Sequence, residues 1–160
     1  MVFRSRLLVV PLTVALALGV AVGVTGCSST VSMTPAKGAN DPACAEVTSR
    51  LPATVDGQPR RWTDAQATGA WGSPASVLLT CGLDAPGPSA LVCQTVDGID
   101  WIMDDSEAPK YRFTTFGRTP AVQVYLDYDV VSGRDVLSAL SSAVQQLPTD
   151  GRSCIARPSS

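Results

Sequence analysis

Cysteines, a run of acids, and a scattered set of arginines and aromatics are the residues in this chain with chemistry to offer. Cys44, Cys81, Cys93 and Cys154 are even in number and form no C-x-x-C pair. They therefore read as two disulfides rather than as a zinc ribbon or a redox dithiol. Four cysteines allow three pairings. The reversal Asp84-Ala85-Pro86-Gly87-Pro88 lies between Cys81 and Cys93 and favours Cys81–Cys93. That leaves Cys44–Cys154 to tie an N-terminal helix to the tail. In the chain-entropy model such links contribute roughly 3–5 kcal/mol each. Asp97, Asp100, Asp104, Asp105 and Glu107 carry the oxygen ligands that calcium takes. Their spacing is not that of a calcium loop, and Asp97 belongs to a turn. They read as a solvated strand face, and no metal or cofactor is expected.

The chain has no histidine, which removes Ser-His-Asp and Cys-His catalysis. There is no G-x-S-x-G, no S-x-x-K and no phosphate loop, so no catalytic residue is assigned. Arg60, Arg61, Trp62, Trp71, Trp101, Tyr111 and Arg118 remain. Such side chains dominate interaction hot spots and stack on sugars. Trp101 alternates with Ile99 and Met103 and belongs to a core. Arg60, Arg61, Trp62 and Arg118 are the candidate binding residues.

A fifth cysteine stands apart. Arg4 and Arg6 precede an uncharged apolar run from Leu7 to Val24, and Val24-Thr25-Gly26-Cys27 follows. A positive start, an apolar stretch and a small-residue junction make an export signal. The junction resembles the lipobox of bacterial lipoproteins, which implies a diacylglycerol on the Cys27 thiol and cleavage before it. The run is long enough to span a bilayer, but Ser28-Ser29 follow in place of a basic stop. Two acyl chains suffice for stable anchoring. Loss of the leader moves the net charge from −2 to −4, because Arg4 and Arg6 leave with it. An acidic domain argues against nucleic acid as a partner and against a basic membrane patch. Arginine far outnumbers lysine, with Lys37 and Lys110 the two lysines, and alanine occurs 19 times. This bias is that of a GC-rich genome and points to an actinobacterium.

These residues need elements to hold them. Ser28 to Asn40 is small and polar and reads as a flexible tether reaching on the order of 45 Å. Asp41-Pro42 starts a helix that stops before Pro52 and turns Cys44, Val47 and Leu51 inward. Residues 52–75, rich in Pro and Gly, read as irregular. Strands follow at 77–81, 91–96, 99–104, 111–116 and 121–128, with Asp97-Gly98 as a hairpin turn. Ser132 caps a final helix that buries Val136, Leu137, Leu140, Val144 and Leu147. The expected fold is α+β: an antiparallel sheet of about four to five strands with an N-terminal and a C-terminal helix packed on it. The expected organisation is a signal over 1–26, a lipidated Cys27 and tether over 27–41, and a single domain over 42–160.

Cys44-Ala45-Glu46, T-V-D-G-Q-P-R-R (54–61), Ala70-Trp71-Gly72, V-D-G-I-D-W (96–101) and F-G-R-T-P-A-V (116–122) occur in this order. As a set they resemble the exported actinobacterial family called domain of unknown function 3515, over residues 42–147. The resemblance implies an envelope lipoprotein or a secreted protein and carries no activity. The expectation is a monomeric lipoprotein on the extracytoplasmic face of the cell membrane. It would bind an envelope protein or a wall polymer without catalysis. The alternative is a module that binds, or hydrolyses, a small molecule or glycan.

Overall fold

A computed structural model describes residues 30–155. The leader and Cys27 lie outside the described residues. Helix α1 runs over Pro42–Ser49, and the Asp41 carboxylate accepts the Ala43 N–H at 2.8 Å as its cap. Helix α2 runs over Gly133–Val144, with the Ser132 hydroxyl accepting the Asp135 N–H at 3.4 Å. Both starts follow the cap residues in the sequence. Among the described residues no helix is long and apolar enough to cross a membrane.

Eight strands form one antiparallel sheet. They are β1 (Thr54–Val55), β2 (Gln58–Arg61), β3 (Thr68–Trp71), β4 (Val77–Leu83), β5 (Val92–Val96), β6 (Ile99–Glu107), β7 (Lys110–Phe116) and β8 (Ala121–Asp127). Their spatial order is β1-β2-β3-β4-β8-β7-β6-β5. Two four-stranded meanders therefore join through β4 and β8, and β5 and β1 are the edges. The class is the expected one, but the sheet has eight strands where about four to five were expected. The three extra strands lie in the segment read as irregular. Their hairpin turns on Asp56-Gly57 (φ +44° and +74°), the same dipeptide and geometry as Asp97-Gly98 (φ +48° and +75°). Both central residues need positive φ in such a turn, which Asp tolerates and Gly favours.

Alternation decides what faces the helices. Val77, Leu79 and Cys81 in β4, Val122, Val124 and Leu126 in β8, Phe113 in β7 and Ile99 and Trp101 in β6 are fully buried. They pack with Val47 and Cys44 of α1 and with Val136, Leu137, Leu140 and Val144 of α2. The opposite face carries Thr80, Gln123, Thr114, Ile102 and Cys93, aligned across the sheet by register.

That parity settles the disulfides against the expected pairing. The bonds are Cys44–Cys81 and Cys93–Cys154, not Cys81–Cys93 and Cys44–Cys154. Cys81 faces α1, whereas Cys93 lies on the other face. The β4 and β5 strands are also four spacings apart in the sheet, about 19 Å at ~4.8 Å each. A Cys81–Cys93 bond cannot span that; a disulfide needs Cα atoms no more than about 7 Å apart.

The expected tether differs as well. The Val31 N–H donates to the Trp62 carbonyl at 2.8 Å, and Val31 bridges Thr63. Asp64 accepts from the Ser32 hydroxyl at 2.9 Å and the Met33 N–H at 2.8 Å. Gly38 lies against Gly82, where its N–H donates to the Gly82 carbonyl at 2.9 Å. A Cβ on Gly38 would stand 2.7 Å from that oxygen, closer than side chains tolerate. Ala39 is buried. Residues 31–39 are thus part of the folded unit, held by backbone pairing and by the Asp64 carboxylate.

Candidate functional site

The path from β4 to β5 builds a hollow. Because β8, β7 and β6 lie between these strands, residues 84–91 must cross to the far edge of the sheet. The tail returns over the same region. Cys154 is fastened to Cys93, its N–H donates to Asp100 at 2.7 Å, and the Arg152 guanidinium donates to the Pro86 carbonyl at 2.8 Å. Arg152 also sits 5.3 Å over the Phe116 ring. Between loop and tail is a cleft of about 820 Å³ with Cys93, Thr95, Ile102 and Phe116 at its base and Leu91 and Ile155 on its walls. Leu91 is 45% and Val92 40% exposed.

The chemistry of this cleft is contact and hydrogen bonding. Its polar groups come from Ser89, Gln94, Thr95, Arg152 and Ser153. Among the described residues none of its lining is a carboxylate or an imidazole. The β5 edge beside it pairs with no strand on its outer side among the described residues. An edge of this kind is a template for another extended chain. A second hollow of about 560 Å³ lies where Thr34, Ala36 and Lys37 pass over Thr80 and Gln123.

The four candidate binding residues do not form one site. Arg118 is 8% exposed, and its guanidinium donates to the carbonyls of Leu147 at 2.8 Å and Gln145 at 3.5 Å. It closes the C-terminal end of α2, where carbonyls lack helical partners. Burial lowers its pKa, and the nearby Asp100 charge acts the other way. Arg60 and Arg61 lie at the other side of the sheet, in β2, and donate to the carbonyls of Leu51 at 3.1 Å and Gly72 at 2.9 Å. Trp62 follows them and is 77% exposed. Trp71 and Trp101 are buried, as expected for Trp101. None of Arg60, Arg61, Trp62 and Arg118 lines the cleft.

Four of the five acids have partners within the protein. Asp97 accepts from the Ser138 hydroxyl, and Asp100 accepts from Thr95 at 2.6 Å and from Cys154. Asp104 accepts the Ser106 N–H at 3.0 Å. Glu107 pairs with Arg112 at 2.6 Å and accepts from the Tyr125 hydroxyl at 3.2 Å. The Arg112 guanidinium holds the Glu107 carboxyl below its ordinary pKa. Among the described residues no three of His, Cys, Asp and Glu gather as a metal site. The cleft was not legible in the sequence because its walls come from segments far apart in the chain. The one available signal was Cys154, since a cysteine so near the end must fasten the tail to something.

No curated protein matches the chain, and no solved structure matches it. A family model described as protein of unknown function, DUF3515, matches residues 7–151. The two meanders, the two helices and the Cys44–Cys81 disulfide fall within that span, and the chain belongs to this family.

Proposed function

We propose that this chain is an exported actinobacterial lipoprotein, anchored through Cys27 on the extracytoplasmic face of the membrane, whose domain binds another envelope component without catalysis. The observation that carries the anchoring is the ordered signal Arg4/Arg6, Leu7–Val24 and Val24-Thr25-Gly26-Cys27. The two disulfides support export, since such bonds persist in oxidising compartments. The cleft beside β5 supports the binding reading. It offers apolar walls, hydrogen-bonding groups and a strand edge, but no proton-transfer pair among the described residues.

Fractionation of cells carrying Cys27→Ala tests the anchor. The variant is expected in the medium or soluble envelope fraction, and retention in membranes overturns lipid anchoring. Crosslinking in intact cells tests binding. A reproducible adduct, lost in Leu91→Asp, is expected; an adduct unchanged by that substitution, or none in growing and stressed cells, overturns the cleft as the binding site.

A further inference from the structure

The corner around Trp62 carries a further reading, which rests on the lipidation of Cys27 proposed above. We propose that Trp62 seats in the headgroup layer of the bilayer, so that the domain is held directly on the membrane with the end of β2 facing the lipid.

The described chain begins at this corner. Val31 is fastened to Trp62 and Thr63 through the backbone, and Asp64 grips Ser32 and Met33. Cys27 lies four residues before Val31. Four Cα steps reach at most about 14 Å. An acylated Cys27 stands at the membrane surface, because its chains are in the hydrocarbon. Val31 is therefore confined to that distance from the surface, and the Trp62 carbonyl lies only a 2.8 Å hydrogen bond from it. A folded protein partner wider than about 14 Å has no room between Val31 and the membrane. The bilayer is the occupant that the length of chain leading out of this corner selects.

The side chain suits that position. Trp71 and Trp101 are fully buried, whereas Trp62 is 77% exposed. An exposed indole combines a large apolar body with a single N–H donor, the combination found at membrane interfaces. The net charge of the domain is acidic, so this contact orients an anchored protein and does not recruit a free one.

Quenching by brominated lipids tests the contact, because bromine on an acyl chain quenches only tryptophans that approach the bilayer. The full-length lipidated protein is reconstituted in vesicles of phosphatidylcholine and phosphatidylglycerol with and without brominated chains. The wild-type protein should lose emission in brominated vesicles, and Trp62→Tyr should lose none, since its remaining indoles are in the core. Insertion of ten Gly/Ser residues between Ser29 and Thr30 should weaken the quenching. Equal quenching in wild type and Trp62→Tyr, or none in either, overturns the proposal when mass spectrometry shows a lipidated N-terminal Cys27. An unmodified Cys27 overturns the anchoring reading first and this one with it. A thermal melt of Trp62→Tyr matching wild type is expected; a large loss of stability would show Trp62 to be structural and overturn the proposal.

Discussion

Arg118 shows how an arginine can be spent on the fold. Its guanidinium is buried and donates to the carbonyls of Leu147 and Gln145 beyond the last turn of α2. Arg118→Ala leaves the Leu147 carbonyl without that donor. The expected cost is about 1–3 kcal/mol, read as a lower urea midpoint with an unchanged slope. Capture of a ligand at the cleft should be unaffected. The carboxylates act at the same scale. Asp64 is held below its ordinary pKa by the Met33 N–H and the Ser32 hydroxyl. Glu107 and Asp150 are lowered by the guanidinium groups of Arg112 and Arg152, and Asp104 by the hydroxyl and N–H of Ser106. A lowered pKa means that the unfolded chain takes up protons first as the pH falls. The stabilisation is complete above the ordinary carboxylate range near about pH 4 and is lost as the pH falls through the lowered values. Denaturation midpoints should be flat from neutral pH down to about pH 5 and then decline. Asp64→Asn should shallow that decline and raise hydrogen exchange at Val31 and Met33.

At the scale of elements, the two disulfides occupy opposite faces of one sheet and do different work. Cys44–Cys81 joins α1 to β4 inside the core, and both residues are fully buried. Cys93–Cys154 fastens the tail over the outer face and is partly exposed. Non-reducing peptide mapping should recover Cys44–Cys81 and Cys93–Cys154. Mild reductant should open Cys93–Cys154 first and leave the fold intact. Removal of Cys44–Cys81 should cost more, because a core contact is lost along with a cross-link worth about 4 kcal/mol in the chain-entropy model. Elements with strong local signals were legible. Asp41-Pro42 and Ser132 mark the helix starts, and the five alternating runs became β4 to β8. The β1–β2 hairpin was missed although Asp56-Gly57 carries the same turn chemistry as Asp97-Gly98. Its two strands are short, and Pro59 and Gly57 masked the alternation. Residues 31–39 read as a tether because their attachment is largely through backbone groups, which every sequence possesses, and through Asp64, some thirty residues away in sequence.

Across the whole molecule, the Trp62 corner and the cleft lie near opposite edges of the sheet. From β2 to β5 there are six strand spacings, about 29 Å at ~4.8 Å each before twist. A domain seated on the Trp62 corner as proposed would hold the cleft away from the lipid. The same layout ranks stability. β4 and β8 lie mid-sheet, paired on both sides and covered by helices on one face, whereas β1 and β5 have one neighbour each. Amides of β4 and β8 should exchange only by global opening, and those of β1 and the outer edge of β5 by local fraying. Uniform protection across all eight strands would contradict this ranking.

What the sequence determined alone is local. Cap residues, alternation and turn dipeptides are satisfied by near neighbours, so α1, α2 and β4 to β8 could be read from the chain, and so could the family motifs. What the tertiary structure decided is non-local. Strand order placed β4 and β5 four spacings apart and so chose the disulfide partners. Alternation then put Cys81 on the core face and Cys93 on the outer one. The same order carried the β4–β5 crossing to the far edge, where it meets the tail and makes the cleft. Arg118 went to a helix end and Trp62 to the surface, although both are residues of the type that binds. Which of them is buried depends on segments distant in sequence that arrive beside them only when the chain folds.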